Sequence, residues 1–155
     1  MSGIYIHIPY CRQKCNYCNF FSLASKRYRD ELVPAISKEL ELRKHYLPDP
    51  IIHSVYFGGG TPSLIEPEEI AKLLETIRSN FQPIQEPEIT LEANPDDLTV
   101  DRLRQYREIG INRLSIGIQS FNQRDLEFLN RVHTVAQSYD CIDFARVAGF
   151  NNISI

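Results

Sequence analysis

The sequence predicts an α/β fold built on a parallel sheet, and two observations indicate this class and the character of the two faces of the sheet. First, short β-like runs alternate with longer helical patterns along the chain, as in consecutive βαβ units. Second, three of the predicted strands alternate apolar with polar or small residues, whereas strands buried on both faces have continuous apolar runs. Helices must cover the apolar face, so the polar residues are expected to line a shared face that can hold a polar ligand.

Five runs of residues have the character of strands. In the first run, Ile4, Ile6 and Ile8 alternate with Tyr5 and His7. The runs EITLEAN and RLSIGIQ alternate in the same way, and the second strand runs into consecutive glycines. The predicted strands are 4–8, 51–57, 88–94, 113–119 and a strand that begins at 152–155.

Five helical patterns connect or follow these strands, and several carry signals for their ends. Pro67 suits a first helical turn, Thr99 suits an N-cap, Gly110 suits a left-handed C-terminal position, and Gly149 is expected to end the last helix. Pro34 lies inside the first pattern and requires a later start or a kink. The predicted helices cover about 27–46, 67–81, the stretch from Thr99 to Ile109, 122–129 and 135–148.

Length and charge exclude several classes of protein. A chain of 155 residues is about one domain. Its 17 basic and 20 acidic side chains give a net charge of −3, which does not favour a nucleic-acid partner. The sequence has no apolar run of the ~20 residues that span a bilayer and no signal-peptide pattern, so we expect a cytoplasmic protein without a transmembrane segment. Because the last strand only begins before the sequence stops, we expect the N-terminal part of a longer protein.

Three of the four cysteines follow the first strand closely. Cys11, Cys15 and Cys18 lie within eight residues, while Cys141 stands apart in a helical pattern that indicates an inert buried thiol. Three thiolates in one loop can ligate three irons of a four-iron cluster and leave the fourth iron open to another ligand. The alternatives are a structural zinc site completed by Cys141 or a histidine, or three unrelated thiols.

Further features are expected at the same edge of the sheet. The turn 58–62, Gly-Gly-Gly-Thr-Pro, follows the second strand, and its N–H groups could be approached closely by a ligand. Glu92 and Gln119 lie near the ends of the third and fourth strands. Parallel α/β folds place their sites at the carboxyl ends of the strands, so these features predict one site.

Five stretches together resemble the radical S-adenosylmethionine superfamily and, within it, the oxygen-independent coproporphyrinogen III oxidase family. They are IYIHIPYCRQKCNYCNF, YFGGGTPSL, TLEANPDDL, GINRLSIGIQSF and LNRVH. That family includes oxidases and a branch regarded as heme chaperones. The resemblance implies a partial TIM-type (β/α) barrel, of which residues 1–155 would form the N-terminal part with about four units, without the rest of the barrel and the C-terminal domain.

The resemblance also implies a ligand for each site residue. Cys11, Cys15 and Cys18 would bind a 4Fe-4S cluster. Gln119 and Arg131 match positions that contact a second S-adenosylmethionine in the oxidases. The full set implied to bind S-adenosylmethionine is Tyr5, Tyr17, Gly59, Gly60, Thr61, Glu92, Gln119 and Arg131.

One position departs from the oxidase pattern. The oxidases carry a fourth cysteine two residues after the third, and here that position is Phe20. Phenylalanine there resembles the heme chaperone branch, so we expect a heme chaperone that binds heme, or a porphyrinogen, and that needs an electron donor protein. The alternatives are a coproporphyrinogen III oxidase, which would cleave S-adenosylmethionine reductively and decarboxylate porphyrinogen propionates, and a zinc-stapled interaction domain. An open sheet would also allow the chain to associate with itself.

Several remaining residues are expected to have structural roles. His7 is expected to be a hydrogen-bonded structural residue, and His133 an ordinary residue at the surface or at the end of an element. Asp96 and Asp97 are expected to cap a helix. Arg12 and Lys14 could offset thiolate charge, and Arg131 could reach a carboxylate in the site.

Overall fold

A computed structural model describes residues 2–25 and 27–155 as one five-stranded parallel sheet flanked by helices. The strands lie side by side in chain order, and each neighbouring pair is parallel. The strands are β1 (Ser2–Ile8), β2 (Ile51–Gly59), β3 (Gln82–Ala93), β4 (Arg113–Ile116) and β5 (Asn152–Ser154). The helices are α1 (Arg29–Leu42), α2 (Pro67–Asn80), α3 (Val100–Ile109), α4 (Gln123–Phe128) and α5 (Val135–Val147). The predicted α/β class, with four β/α units before the fifth strand, is confirmed.

The apolar face of the sheet forms the core against the helices. Phe57, Leu91 and Leu114 of three neighbouring strands are fully buried, as are Leu73 of α2 and Leu103 of α3. Burial of one such side chain contributes about 1.5–3 kcal/mol. The strict alternation in the sequence therefore identified the helix-covered face correctly.

The register brings the strand ends, and thus the loops after them, to one edge. Ile8 pairs with Gly59, so the segment after β1 starts beside the turn after β2. Glu92 of β3 pairs with Ser115 of β4 at the same edge. Side chains that are far apart in sequence are therefore neighbours there.

Local signals set most helix ends. The Thr99 hydroxyl accepts a hydrogen bond from the Arg102 N–H at the start of α3, and Gly110 ends that helix with a φ of 108°. Gly149 follows α5 with a φ of 89°. These three predictions are confirmed, because each residue has the capping atom or the conformational freedom that its position needs.

Other predicted boundaries are wrong. Helix α1 ends at Leu42 rather than near 46, and it continues through Pro34, which excludes a start after Pro34 and leaves the alternative of a kink. Strand β3 begins at Gln82 rather than 88, because its first residues pair with the start of β2. Strand β4 ends at Ile116 rather than 119, because the chain turns sharply there: the Ile118 N–H bonds to the Ile116 carbonyl.

No helix in the described ranges is both long and apolar enough to cross a membrane.

Candidate functional site

A cavity of about 220 Å³ opens at the carboxyl edge of the sheet. Ten of the eleven predicted site residues line it: Cys11, Cys15, Tyr17, Cys18, Gly59, Gly60, Thr61, Glu92, Gln119 and Arg131. Tyr5 lies outside the wall of this cavity. The structure therefore brings together residues from the first, second, third and fourth β/α units, as their placement at strand ends predicts.

Residues 11–18, called the cysteine loop below, form one side of this cavity. All three of its cysteines are free thiols and are partly exposed. The loop begins at a fixed point, because the Cys11 N–H donates to the Leu23 carbonyl at 3.0 Å. Two side chains from other units donate to its sulfurs: the Thr61 hydroxyl lies 3.6 Å from Cys11 Sγ, and Arg131 Nη1 lies 3.2 Å from Cys15 Sγ.

Arg12 does not line the cavity, and its side chain contacts acidic residues instead of the thiols. Its guanidinium forms an ion pair with Asp97 and lies 3.8 Å from Asp96. The Ser63 hydroxyl donates to Asp97 at 2.6 Å. Burial raises the pKa of Asp97, while the Ser63 hydrogen bond and the Arg12 charge act in the opposite direction.

Two expectations about these residues are therefore wrong. Asp96 and Asp97 lie in a short 3-10 turn, Pro95–Asp97, and Thr99 caps the helix that follows. Their carboxylates face Arg12, which is why Arg12 does not offset the thiolate charge.

The glycine turn is packed against the protein itself. The N–H groups of Gly59, Gly60 and Thr61 donate to the Glu92 carboxylate, the Ile8 carbonyl and the Tyr10 carbonyl, respectively. A Cβ atom at Gly60 would lie 2.6 Å from the Tyr10 carbonyl oxygen, which only glycine avoids. The expectation that a ligand approaches these N–H groups is therefore wrong, because all three donate to acceptors of the chain itself.

Glu92 links the third strand to the second. Its two carboxylate oxygens accept hydrogen bonds from the Tyr56 hydroxyl at 2.7 Å and the Gly59 N–H at 3.1 Å. Burial, and then the neighbouring Glu92, raises the pKa of Tyr56, so Tyr56 stays a donor. The carboxylate is thus held in one orientation at the cavity wall.

Tyr5 and His7 form a separate polar group on the same face. The Tyr5 hydroxyl donates to His7 Nδ1 at 3.1 Å, and His7 Nε2 donates to the Phe21 carbonyl at 3.0 Å. The Tyr5 ring stacks on Tyr56 with 6.0 Å between ring centroids. His7 therefore has the hydrogen-bonded structural role expected for it. Tyr5 is connected to the site by stacking on Tyr56, which donates to Glu92.

Gln119 and Arg131 lie on the turn after β4 and on the segment after α4. Gln119 has a φ of 68°, an unusual conformation for a residue with a side chain, and the Ser120 N–H bonds to the Ile118 carbonyl across it. Arg131 donates from Nη2 to Asn94 Oδ1 at 2.8 Å and to the Gly117 carbonyl at 2.6 Å. Arg131 therefore does not reach a carboxylate, and its buried Nε has no partner in the described structure.

His133 and Cys141 are buried and do not line the cavity. His133 is buried rather than at the surface, and its Nε2 donates to the Ile118 carbonyl at 3.1 Å. Burial, and then the Arg131 charge, lowers the pKa of His133. His133 directly precedes Thr134, the N-cap of α5, so it lies at the end of an element as expected, although it is not at the surface. Cys141 is buried in α5, and burial raises the pKa of its thiol to about 11.

The cavity wall includes polar residues that the sequence reasoning did not single out. Asn94 and Ser115 line it, and both stand on the polar side of the alternating strands, so the same pattern could have identified them. A Cβ atom at Gly117 would lie 3.3 Å from Arg131 Nη2, so a side chain at this position would crowd the Arg131 guanidinium. No local sequence signal marks that close approach.

Tyr17 and Phe20 stand at the open side of the cavity. Tyr17 is 46% exposed and Phe20 is 71% exposed. Burial of the hydroxyl raises the pKa of Tyr17, so it remains a neutral phenol. Phe20 presents an apolar ring where the oxidase pattern has a thiol.

Comparison with known protein families matches residues 5–155 to the Radical SAM superfamily. The chain belongs to this superfamily. The resemblance seen in the CxxxCxxC loop and the glycine turn is therefore confirmed over nearly the whole chain.

Individual radical SAM relatives place the chain near the coproporphyrinogen III oxidase family and its heme chaperones. It is 39% identical over 159 residues to heme chaperone HemW of Haemophilus influenzae, covering 99% of this chain and 42% of that protein. It is 36% identical over 158 residues to heme chaperone HemW of Bacillus subtilis, covering 100% and 41%. The chain thus spans about two-fifths of the length of these curated relatives.

Solved structures confirm the radical SAM fold. The chain is similar to the coproporphyrinogen III oxidase HemN of Escherichia coli with a TM-score of 0.88 and 29% identity, covering 97% of this chain and 35% of that one. HydG, a maturase of the [FeFe]-hydrogenase, matches with a TM-score of 0.63 at 14% identity, which shows the fold alone. The predicted partial TIM-type barrel is confirmed.

The residues present fit the groups that the radical SAM superfamily implies. The three thiols face one cavity, and two of them already accept hydrogen bonds from Thr61 and Arg131. In residues 2–25 and 27–155, no three His, Cys, Asp or Glu side chains converge on a point suited to one metal ion. A four-iron cluster takes one thiolate per iron and does not require such convergence.

Proposed function

We propose that this chain is the part of a radical SAM heme chaperone that binds a 4Fe-4S cluster and S-adenosylmethionine. The supporting observation is the common cavity wall formed by the three cysteines, Glu92 and Arg131. The chaperone rather than the oxidase is favoured by Phe20 and by the relatives at 36–39% identity that are named heme chaperones.

The cysteines would each hold one iron, and the chain's other residues would shape the surroundings. Arg131 Nη1 donates to Cys15 Sγ, so a positively charged group already contacts one of the sulfurs that would ligate iron. When bound, the cluster and S-adenosylmethionine supply one-electron chemistry that amino-acid side chains lack. The protein's contribution is to hold both groups in one orientation and to limit the access of water.

The polar groups of S-adenosylmethionine would find complementary partners in the wall. Its amino group suits the Gly60 carbonyl oxygen and the Glu92 carboxylate, because both residues line the cavity. Its carboxylate suits the positive charge of the Arg131 guanidinium, because Arg131 lines the cavity. Tyr17, at the open side, offers an aromatic face to the adenine.

Phe20 bears on whether the protein acts as an oxidase or as a heme chaperone. A phenyl ring has no atom that can ligate iron or donate a proton, so it cannot replace a thiol. Its exposed ring at the cavity mouth instead suits contact with a flat apolar ligand such as heme or a porphyrinogen.

Anaerobic reconstitution with iron and sulfide tests the proposal. We expect a brown protein with about four irons per chain, and an electron paramagnetic resonance signal after dithionite reduction that changes when S-adenosylmethionine is added. Heme titration should then show binding, and coproporphyrinogen III should not be consumed. Turnover of coproporphyrinogen III would instead support the oxidase, which the E. coli HemN structure at 29% identity makes the second candidate.

Two cysteine variants provide a matched control. Cys15→Ala should abolish cluster formation, because Cys15 would hold one of three irons. Cys141→Ala should leave the iron content unchanged, because Cys141 is buried in α5 away from the cavity wall. A colourless protein with one zinc per chain would overturn both functions in favour of a zinc-stapled domain.

A further inference from the structure

The middle of the cysteine loop is held by residues 128–131, which comprise the last residue of α4 and the three residues after it. The Asn16 N–H donates to the Leu129 carbonyl at 3.2 Å, and Asn16 Nδ2 donates to the Phe128 carbonyl at 2.7 Å. These residues are separated by more than a hundred positions in sequence. A loop that contains three potential ligands is therefore fixed from another β/α unit.

Asn130 makes the largest share of these contacts. Gln13 Nε2 donates to Asn130 Oδ1 at 2.6 Å and to the Asn130 carbonyl at 3.1 Å. Asn130 Nδ2 donates to the Lys14 carbonyl at 2.9 Å. The Asn130 side-chain amide thus contacts the loop twice. Its oxygen accepts from the Gln13 side chain, and its nitrogen donates to the Lys14 carbonyl.

The backbone of Asn130 explains why this residue is suited to the position. Its φ is 59°, in the left-handed region that most side chains avoid. Asparagine tolerates this conformation and has both a donor and an acceptor on a short side chain. Glycine has the conformation without the amide, and aspartate has an acceptor without the donor.

The consequence reaches a predicted iron ligand. The Lys14 carbonyl held by Asn130 belongs to the peptide that leads into Cys15. The residue after Asn130 is Arg131, which donates to Cys15 Sγ. The left-handed turn at Asn130 therefore sets both the backbone before Cys15 and the cation on its sulfur.

We propose that Asn130 is a positioning residue that holds the cysteine loop in its ligating conformation before the cluster is present. Its effect on the cluster rests on the function proposed above. Its effect on the loop does not, and the two are measured separately.

Hydrogen exchange of the apoprotein tests the positioning directly. Asn130→Gly permits the same left-handed backbone and removes the amide, so we expect residues 11–18 to exchange about fivefold faster than in the wild type. The Asn16 N–H, which bonds to Leu129, is the reporter. Unchanged exchange over residues 11–18 in Asn130→Gly overturns the proposal, whether or not the wild type takes up a cluster.

Asn122→Ala is the matched control. The Asn122 side chain accepts a hydrogen bond from the Arg124 N–H at the start of α4 and does not contact the cysteine loop. This variant should weaken α4 without changing exchange over residues 11–18. Equal acceleration in Asn122→Ala and Asn130→Gly would show a general loosening of α4 and contradict a specific role of Asn130.

A double-mutant cycle with Gln13→Ala identifies the contact. Gln13 is exposed, so its truncation does not threaten the fold. We expect the effects of Gln13→Ala and Asn130→Gly on exchange to be less than additive, because both remove the same hydrogen bond. Full additivity contradicts the proposed contact.

The cluster provides a second readout in the reconstituted protein. We expect Asn130→Gly to lose iron to a ferrous chelator about fivefold faster than the wild type, and Asn130→Asp to lie between them, since aspartate keeps the acceptor for Gln13. A wild type without a cluster would refute the proposed function, whereas the exchange result would still decide the role of Asn130.

Discussion

The two faces of the sheet use the same strands but are held by different interactions. On the helix-covered face, Leu91 and its neighbours are fully buried and pack by shape and apolarity alone. On the opposite face, Glu92 and Tyr56 are linked by directed hydrogen bonds and line or adjoin a cavity. The first face supplies stability, and the second supplies fixed polar groups for a ligand.

This difference shows why one strand can serve two purposes. Leu91 and Glu92 are adjacent in sequence, yet alternation sends their side chains to opposite faces. A change on the apolar face should therefore alter the free energy of unfolding, and a change on the polar face should mainly alter ligand binding.

Leu91→Ala should have the largest effect on stability. It leaves a cavity in a fully buried region, so we expect the free energy of unfolding to fall by about 3 kcal/mol. Chemical denaturation of the variant and the wild type measures this difference.

Glu92→Gln is the comparison on the opposite face. It keeps one acceptor oxygen for the two donors and should cost about 1 kcal/mol. S-adenosylmethionine binding should weaken more in Glu92→Gln than in Leu91→Ala. Equal losses of stability in the two variants would contradict the division between the faces.

Gly60→Ala should have the next largest effect. A Cβ atom there meets the Pro9 and Tyr10 backbone at 2.6–2.9 Å, which cannot shift without moving the start of the cysteine loop. We expect a loss of about 2 kcal/mol in thermal or chemical unfolding.

Gly149→Ala separates crowding from conformation. Nothing lies within 4 Å of a Cβ atom at Gly149, but its φ of 89° is unfavourable for alanine. A loss of about 1 kcal/mol is expected. A larger loss in Gly149→Ala than in Gly60→Ala would mean that crowding against the loop is unimportant.

Asp97 should make the free energy of unfolding depend on pH, and this effect should be smaller than those of the substitutions above. Burial raises its pKa in the folded protein, so the folded state binds this proton more tightly than the unfolded state does. Stability from this group is therefore present at low pH and is lost as pH rises from the ordinary aspartate range through the raised pKa.

Comparison with Asp97→Asn isolates this effect, because asparagine does not titrate. We expect the free energy of unfolding of the wild type to fall relative to that of the variant over that pH interval. The opposite slope would show that the ion pair with Arg12 outweighs burial.

Cys141 should show no reaction under conditions that modify the cysteine loop. With a pKa of about 11, roughly one Cys141 thiol in a thousand is ionised at about pH 8. Iodoacetamide should therefore label the three loop cysteines of the apoprotein and leave Cys141 unmodified, as peptide mass spectrometry can measure. Labelling of Cys141 should appear only after denaturation, and rapid labelling of the folded protein would contradict its burial.

Much of the fold could be predicted from residue pattern. The alternation of Ile4, Ile6 and Ile8 with polar neighbours identified a one-sided strand, and Thr99 and Gly110 marked both ends of α3. These signals are local, because side-chain direction and capping depend on neighbouring residues. The end of β4 was missed, because the turn at Gln119 depends on a left-handed backbone that no local residue type required.

The site was predictable as a list of residues but not as an arrangement. The cysteine spacing and the strand-end positions of Glu92 and Gln119 indicated one edge of the sheet, and these residues share a cavity wall. Roles assigned by residue type alone were wrong at several places, and two of them show the reason. Arg12 pairs with Asp97 instead of the thiols, and the N–H groups of the glycine turn bond to the protein.

The sequence by itself determined the parallel α/β class, the helix-covered face and the three thiols in one loop. These follow from periodicity and spacing, which act over a few residues. Only the tertiary structure decided which partners each polar group has, such as Arg131 on Cys15 and Asn130 on the Lys14 carbonyl. The physical reason is that a hydrogen bond depends on distance and direction between two groups, and for residues more than a hundred positions apart these are set by the register of the whole sheet.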